Sequence, residues 1–338
     1  MRIIVDGFGG DNAPGEILLG CAQAVEELGV DITVAGDKDK LLACAKEKGV
    51  EAAFHKMEVL HCPDVLAMED EPGSVLKEKS ESSMAAGLRA VAQGQGAFAS
   101  AGNSGALTVG ATMIVKRIKG VKRVAFAPVL PSAQGFFMIS DAGANVECRP
   151  EMLLQFGLMG SIYMEQVMGV KSPRVGLVNV GTESHKGDPL RQNAYRLLKD
   201  CPGLNFVGNI EPRDIPYGHC DVVVADGFTG NTVLKLYEGT ALAIMGMVKD
   251  IFKKSAKNKA AMIYGDLQGL KKTMDYNTYG GAAILGAAKP VFKMHGNAKA
   301  PAVKNALRLV RDCTQSRYVD KMRDALAGGS AGEKNEQE

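Results

Sequence analysis

The amino-acid sequence predicts an α/β protein built on a mostly parallel sheet that helices cover on both faces. Short apolar runs alternate with segments of helical periodicity, which is the order of strand–helix–strand units. The 338 residues include 40 glycines, many at the ends of apolar runs, and this favours tight strand-to-helix turns over a helix bundle. The chain shows no internal repeat, low-complexity tract or clear linker. Residues 1–330 are therefore expected to form one α/β catalytic unit, undivided or split into two lobes.

The N-terminal half begins with a short apolar strand at 2–5. A glycine-rich turn leads to a helix over 14–28, where Pro14 suits the first helical turn. A second strand at 32–35 precedes a helix near 38–48. The periodicity then predicts the next elements in this order: a helix over 84–92, a strand at 97–101 and a helix over 105–116.

The C-terminal half begins with two strands at 124–130 and 136–140, paired because residues 131–135 are a cluster of turn-forming types. A strong helix over 150–168 follows. The remaining elements are predicted in this order: a strand at 174–180, a helix over 188–199, strands at 205–208 and 221–225, and a long helix over 235–257. The helical segment around 236–275 is expected to protrude, and residues 241–248 are apolar on nearly every side, which suggests a core or subunit interface.

Composition excludes several function classes. The net charge of +2 argues against general nucleic-acid binding. Seven cysteines, an odd number without a CxxC pair, are typical of reduced thiols and not of a disulfide framework or zinc site. No stretch approaches a secretory signal or a membrane span, so a cytoplasmic protein is expected. The small, polar residues 331–338 are expected to be a disordered tail.

Polar, glycine-containing loops follow five of the predicted strands. Ligands of such sheets bind beyond the carboxyl ends of the strands, so five such loops at one edge indicate a polar pocket. Each loop alone is equally consistent with an ordinary turn. The five loops are 6–12, 100–105, 140–145, 179–187 and 226–231.

The chemistry of two of these loops favours an anion. Glycine lets backbone N–H groups approach an anion, and a helix start adds the positive end of its dipole. Asn103 and Asn231 can donate amide N–H groups to an oxyanion, and Lys186 can add a full charge. Further hydroxyl donors are Ser104, Thr229 and Thr232. The alternative is that the asparagines and threonines only cap helices.

Other kinds of site are less favoured. Gly7-x-Gly9-x-x-Asn12 follows a strand but lacks the third glycine of a dinucleotide fingerprint, so NAD binding is disfavoured, although Asp37 resembles the acid that binds ribose. The five histidines show no metal spacing, and neither a GxSxG nor a Walker A pattern occurs. Only Cys148, beside Arg149, resembles an activated thiol. The lack of an evident nucleophile favours direct transfer, with the protein supplying position and charge stabilisation.

Six segments, in the same order from Met1 to about Arg311, resemble PlsX, the family of acyl-acyl carrier protein:phosphate acyltransferases. The departures from the family pattern are mild and concern Phe8, Asn12 and Ser140. The segments are MRIIVDGFGGDNAP, SAGNSGAL, DAGANVECRPEMLLQFGLMGSIYME, SPRVGLVNVGTESHKG, VVVADGFTGNTVLKLYEGT and DYNTYGGAAILG.

The resemblance implies a Rossmann-like three-layer α/β/α fold, similar to that of phosphotransacetylase and isopropylmalate dehydrogenase. It implies attack of inorganic phosphate on the thioester of a long-chain acyl-acyl carrier protein, without a metal or cofactor. The acyl phosphate would then feed the first acylation of glycerol 3-phosphate in phospholipid synthesis. The implied partners are acyl carrier protein, a second copy of the chain, the membrane surface and the glycerol-3-phosphate acyltransferase that consumes the product.

Together, the loops and the resemblance assign candidate site residues. Lys186 and Asn231 are the catalytic candidates: Lys186 to steady phosphate, Asn231 to orient phosphate or the thioester oxygen. His185 can move a proton or only shape the loop. The other candidates for binding phosphate or substrate are Gly102, Asn103, Ser104, Gly105, Asp141, Asn145, Thr182, Asp226, Thr229, Gly230 and Thr232.

An amphipathic segment at 248–263 is a candidate contact for lipid or for the carrier protein. Apolar residues lie mostly on one helical side and lysines mostly on the other, although Lys259 breaks the pattern. Ordinary packing is the alternative. The contact candidates are Val248, Lys249, Ile251, Phe252, Lys253, Lys254 and Lys257.

Three other functions remain open from the sequence. Within enzymes, a short-chain phosphotransacylase that uses coenzyme A differs in carrier and chain length, and a nicotinamide dehydrogenase requires NAD binding. A non-catalytic acyl-carrier or lipid-surface adaptor is disfavoured, because a scaffold has no need for so many convergent donors.

Overall fold

The computed structural model describes residues 1–254 and 281–329, together with the side chains of these residues except 249, 251–254 and 328–329. Within them, eleven strands form one continuous sheet. The strands are β1 (Arg2–Asp6), β2 (Asp31–Gly36), β3 (Glu58–His61), β4 (Ala97–Ser100), β5 (Ala125–Ser132), β6 (Gly135–Ser140), β7 (Val175–Val178), β8 (Phe206–Ile210), β9 (Val222–Val224), β10 (Ala282–Leu285) and β11 (Val291–Lys293).

The strand order is β3-β2-β1-β4-β11-β10-β5-β6-β9-β7-β8. Seven of the strand pairs in the described residues are parallel and three are antiparallel. The antiparallel pairs are β11–β10, β10–β5 and β5–β6. The β6, β7, β8 and β9 strands therefore run opposite to β1, β2, β3, β4 and β11, and β10 and β5 lie between the two sets.

The described helices connect the strands and cover the sheet. Four of them, α2, α4, α5 and α7, begin at Asp or Ser or Asn side chains that accept a backbone N–H of the first turn. The helices are α1 (Gly15–Leu28), α2 (Lys38–Glu47), α3 (Glu51–Phe54), α4 (Ser83–Ala92), α5 (Ser104–Met113), α6 (Pro150–Gln166), α7 (Pro189–Lys199), α8 (Gly227–Lys254), α9 (Ala300–Gln315) and α10 (Tyr318–Gly329).

The core lies on both faces of the sheet. Every residue of β4, β7, β9, β10 and β11 is buried, as expected for strands that helices cover on both sides. Glycines allow some helices to approach the sheet closely. A Cβ on Gly87 of α4 would overlap the ring of Phe98 in β4, and one on Gly160 of α6 would meet Val222 at 2.6 Å.

The sequence expectations for the fold are largely confirmed. Each predicted strand and helix is present, and the mostly parallel sheet with helices is correct. Two details are wrong. The turn predicted at 131–135 is only Ala133 and Gln134, because the strands extend to Ser132 and Gly135, and α8 begins at Gly227 instead of 235. Sequence periodicity did not predict β3, β10, β11, α3, α9 or α10.

Several expectations concern residues outside this description. Most of the predicted protrusion, from 255 to 275, and the tail at 331–338 lie outside the described residues, and so does Lys257. The side chains of Lys249, Ile251, Phe252, Lys253 and Lys254 lie outside them as well, whereas Val248 is half-buried. Among the described residues, no helix is both long enough and apolar enough to cross a membrane.

The close contact of α4 with the sheet predicts that one added methyl group at Gly87 lowers stability. Gly87→Ala should lower the free energy of unfolding by about 1–3 kcal/mol, because the fully buried ring of Phe98 cannot move aside without strain. Urea denaturation measures this change. The matched control is Gly239→Ala in α8, where a Cβ meets nothing within 4 Å and the free energy of unfolding should stay equal or rise. Equal stability of the two variants would contradict the prediction.

Candidate active site

A cleft of about 340 Å³ lies beside β5, where the two oppositely directed sets of strands meet. Its walls come from the start of α5, the loop after β6, the start of α8 and the segment after β11. Its lining includes Ser104, Gly105, Gly143, Asn231, Lys235 and Lys293. The expectation that all five polar loops lie at one edge of the sheet is wrong, because the strands before 6–12 and 100–105 run opposite to the other three.

The loop before α5 is held by side-chain caps. Asn103 accepts a hydrogen bond from the Ala106 N–H at 3.0 Å, and its amide donates to the carbonyls of Met68 and Asp70 at 2.9 Å. The capping alternative is thus correct for Asn103. The N–H of Gly102 donates to the Ser100 hydroxyl at 2.9 Å. Ser104 and Gly105, in contrast, line the cleft at the positive end of α5.

The loop after β6 is organised by the buried carboxylate of Asp141. It accepts four hydrogen bonds: from the N–H groups of Phe126, Ala144 and Asn145, and from the Asn145 amide, at 2.6–3.1 Å. Burial raises the pKa of Asp141, and these donors oppose the rise. Asp141 and Asn145 therefore position the loop that contains Gly143, which lies against Asn231.

The start of α8 packs directly on that loop. A Cβ on Gly230 would overlap the carbonyl oxygen of Asp141, and one on Gly227 would come within 2.6 Å of the carbonyl oxygen of Asn145. The N–H groups of Gly227 and Gly230 bond to backbone carbonyls, those of Asn145 and Asp226. The two glycines thus serve close packing, and this packing directs Asn231 into the cleft.

Asp226 caps α8 and is held by Arg191, a residue that the sequence analysis missed. Its carboxylate accepts hydrogen bonds from the N–H and hydroxyl of Thr229 at 2.9 and 2.8 Å and from the Arg191 guanidinium. Arg191 also donates to the Thr229 hydroxyl at 3.1 Å. Thr232 instead bonds to the Phe228 carbonyl at 2.8 Å. Asp226, Thr229 and Thr232 support the helix and do not line the cleft.

The loop at 179–187 also lies apart from the cleft lining. Asn179 donates to the Lys186 carbonyl at 3.1 Å, and Gln192 donates to the carbonyls of His185 and Gly187. The side chains of Thr182, His185 and Lys186 are exposed. Lys186 is therefore not among the residues that line the cleft with Asn231.

A second lysine, Lys293 at the end of β11, lines the cleft. It is only 6% exposed, and its ammonium donates to the carbonyls of Ala101, at 3.0 Å, and Met294. Burial, helped by Lys235, lowers its pKa to about 8, against the attraction of Asp6 and Asp11. Lys293 was not among the sequence candidates, because the three-residue strand that it ends has no recognisable sequence pattern.

Among the carboxylates that raise the pKa of Lys293, the buried Asp6 has the largest effect. It accepts hydrogen bonds from the hydroxyls of Ser83 and Ser100 at 2.6 Å. Burial raises the pKa of Asp6, while these bonds and Lys293 oppose the rise. The Ser100 hydroxyl also accepts a hydrogen bond from the Gly102 N–H, so one hydrogen-bond network connects Asp6 to the start of α5.

The cysteines do not provide an activated nucleophile. All seven are free thiols, and burial raises the pKa of each one. Cys148 has a pKa of about 11, because burial and the carboxylates of Asp141 and Asp226 outweigh the opposing effect of Arg191. The arrangement is therefore suited to holding an anion and an attacking group, and not to a covalent thiolate intermediate.

Comparison with known proteins now decides the family. A family described as "Fatty acid synthesis protein" matches residues 1–321. The chain belongs to this family, the PlsX acyltransferases. It is 43% identical to the phosphate acyltransferase of Clostridium acetobutylicum over 326 residues, covering 95% of this chain and 98% of that protein. It is 45% identical to the one from Clostridium botulinum strain Loch Maree over 330 residues, covering 96% and 98%.

Solved structures show the same fold at low sequence identity. A phosphotransacetylase from Streptococcus pyogenes is 13% identical, with a TM-score of 0.62 and 94% coverage of both chains. The EutD phosphotransacetylase from Staphylococcus aureus is 15% identical, with a TM-score of 0.58 and the same coverage. The expected phosphotransacetylase-like fold is thereby confirmed.

The ion pair between Arg191 and the capping residue Asp226 predicts that one substitution strongly lowers stability. Arg191→Ala should lower the free energy of unfolding by about 2–3 kcal/mol, because it leaves the buried Asp226 carboxylate with the Thr229 donors alone. Urea denaturation at neutral pH measures this loss. Arg213→Ala is the control: its side chain is 79% exposed and pairs with Glu211, so the change should stay below about 0.5 kcal/mol. Similar losses in both variants would refute the role of Arg191.

Proposed function

We propose that the chain transfers a long-chain acyl group from acyl carrier protein to inorganic phosphate, yielding acyl phosphate and free carrier protein. The observation that carries the proposal is that Lys293, with its buried ammonium, lines a cleft together with Asn231 and the start of α5. A cation, an amide and a helix start converge on one small volume, which suits an oxyanion or phosphate. Family membership supports the reaction class.

In this reaction, a phosphate oxygen attacks the thioester carbon, and the carbonyl oxygen takes up the negative charge. The C–S bond then breaks, the acyl–phosphate bond is complete, and the sulfur leaves as a thiolate that takes a proton. Lys293 and the first turn of α5 stabilise the negative charge, and Asn231 orients phosphate or the thioester oxygen. Neither a thiol nucleophile nor a cofactor is needed, which agrees with the raised pKa of every cysteine thiol.

Lys186 keeps its proposed catalytic role, with Thr182 and His185 shaping its loop. Since Lys186 is exposed and apart from the cleft, it acts either after a movement of its loop or at the cleft of a second copy. A homodimer is supported by large apolar side chains that α8 leaves more than half exposed: Phe228, Leu236, Leu242, Ile244 and Met247. Val180, next to the Lys186 loop, is 79% exposed.

The product would pass to a glycerol-3-phosphate acyltransferase at the membrane, where it begins phospholipid synthesis. We place the enzyme on the cytoplasmic face as a peripheral protein. The proposed contact with lipid or carrier protein remains the segment from Val248 to Lys257, which begins within α8 and carries basic and apolar residues. The support is the amphipathic sequence pattern.

The test of the proposed function is acyl phosphate formation from palmitoyl-acyl carrier protein and phosphate, trapped with hydroxylamine. Asn231→Ala and Lys186→Ala should each lower kcat by about 100-fold or more with unchanged thermal stability, because each removes a donor for developing charge. Lys171→Ala, an exposed lysine far from the cleft, should keep full activity. Absence of phosphate-dependent turnover by the unsubstituted chain would refute the proposal, and an active Lys186→Ala enzyme would refute that residue's role. Restored activity after the two inactive variants are refolded together would place Lys186 at the partner's cleft.

The pKa of Lys293 predicts a pH dependence. If its ammonium stabilises the oxyanion, kcat/KM for phosphate should fall as pH rises through about 8, because the amine of the free enzyme then loses its charge. Lys293→Arg should keep measurable activity and lose this decline, since arginine stays protonated. Lys293→Met should be inactive at every pH although folded, as circular dichroism can verify. A wild-type decline that persists in an active Lys293→Arg enzyme would assign the titration to another group.

A further inference from the structure

The connection between α5 and β5 carries a dense cluster of positive charge. Residues 116–123 read KRIKGVKR and contain no acid. With one residue at the start of α6, they form what we call the basic patch: Lys116, Arg117, Lys119, Lys122, Arg123 and Arg149. All six side chains are exposed, and none forms an ion pair with a carboxylate in the part of the chain that the structure describes.

The basic patch surrounds an open depression of about 870 Å³. Arg117, Lys122, Arg123 and Arg149 line it, and Glu147 is the one acid among its lining residues. Arg117 is fixed by a hydrogen bond from its guanidinium to the Lys122 carbonyl. On a chain with a net charge of +2, this is a strong local excess of positive charge.

A second depression, of about 400 Å³, connects the basic patch with the cleft. We call it the connecting groove. It shares Thr108, Ala144 and Val146 with the cleft, and Arg123 and Glu147 with the basic depression. Its lining is mostly apolar and includes two large side chains that are open to solvent, Met113 at 60% and Val146 at 65% exposed. A continuous surface path therefore leads from the positive charges to the cleft with Lys293.

We propose that the basic patch docks the acidic face of the acyl carrier protein and that the connecting groove guides its thioester-bearing arm to the cleft. This inference rests on the proposed function and adds the location of the partner. A macromolecular substrate needs a docking surface and a narrow path for the part that reacts, and these two depressions supply both in the right order. Complementary charge at the rim of such an interface mainly speeds encounter and fixes the orientation.

The position of the patch favours a protein over a lipid surface. The groove begins among the cations and ends at the cleft, as a tethered substrate requires. A flat bilayer needs no such path. The segment proposed above to contact lipid is instead the one that begins at the end of α8. Of these two occupants, a carrier protein with an acidic face uses both the positive charge and the groove.

The test compares two acyl donors, decanoyl-acyl carrier protein and decanoyl-pantetheine, which carry the same acyl chain. In Lys122→Glu/Arg149→Glu, the ratio of kcat/KM for the carrier-bound donor to that for the pantetheine donor should fall by about tenfold or more, because charge reversal repels the acidic protein. The fall should be largest at low ionic strength and shrink as salt screens the surface. Circular dichroism and the thermal midpoint verify folding.

The matched control is Lys56→Glu/Lys171→Glu, which changes the net charge equally. Both lysines are exposed and unpaired in the described residues, and Lys171 follows the far end of α6, about 25 Å from Arg149. This control should leave the ratio within about twofold. If the kcat/KM ratio fell equally in both double variants, net charge alone would explain the effect, and the docking site would be refuted.

The remaining outcomes separate the two proposals. If the unsubstituted chain uses decanoyl-acyl carrier protein but the patch variant keeps the ratio, the docking site is refuted and the function stands. If the patch variant keeps the ratio but no longer sediments with phosphatidylglycerol vesicles, the occupant is a membrane and the proposal fails. If the unsubstituted chain uses pantetheine but not the carrier protein, the proposed function fails, and the docking site with it.

Discussion

The contact between the start of α8 and the loop after β6 is the constraint on which the site depends. Asp141 ties this loop to β5 through the Phe126 N–H, at the point where the two sets of strands meet. Gly230 lies directly on the Asp141 carbonyl, and Gly227 donates its N–H to the Asn145 carbonyl. A side chain at either glycine would separate helix and loop. Because Asn231 follows in the same helical turn, its place in the cleft is a consequence of this packing.

Burial of positive charge is the second constraint. Removing an ammonium from water is unfavourable unless carbonyls and carboxylates replace the solvent. Lys293 has two carbonyl acceptors and the nearby influence of Asp6 and Asp11, and its pKa still falls to about 8. Burial therefore outweighs the compensation. A folded protein that keeps such a lysine beside a cleft retains a cation whose charge an incoming anion would stabilise.

The sequence pointed to three of the loops that line the candidate site, because their local chemistry stands out. Loops 100–105, 140–145 and 226–231 stood out because glycine with Asn, Asp or Thr directly follows an apolar run, and residues of all three line the cleft. Asn103 shows the limit of this reading, since capping and anion binding require the same residue type. The pattern could not separate them, because the partners at Met68 and Asp70 are more than thirty residues away.

The remaining parts depend on information that no local pattern contains. Apolar runs do not indicate strand direction, so the opposite course of β6, β7 and β9 could not be foreseen. They also do not reveal which loops of parallel strands reach the cleft, as 226–231 does and 179–187 does not. Short strands such as β11 lack a recognisable period. Lys293 was missed for that reason, and Arg191 because its partner Asp226 is brought close only by the tertiary fold.

The lowered pKa of Lys293 also bears on how the proposed reaction balances its protons. Phosphate bound beside the amine would raise that pKa, so binding of the anion and protonation of the lysine favour each other. Charge is therefore present when the thioester oxygen becomes negative. When the C–S bond breaks, the acyl phosphate is still beside the amine and keeps its pKa raised, so the lysine stays protonated. The departing thiolate, with an ordinary pKa of about 8.5, takes its proton from solvent. The role proposed for Lys293 is therefore that of a cation that stabilises negative charge throughout the transfer, which requires no catalytic thiol.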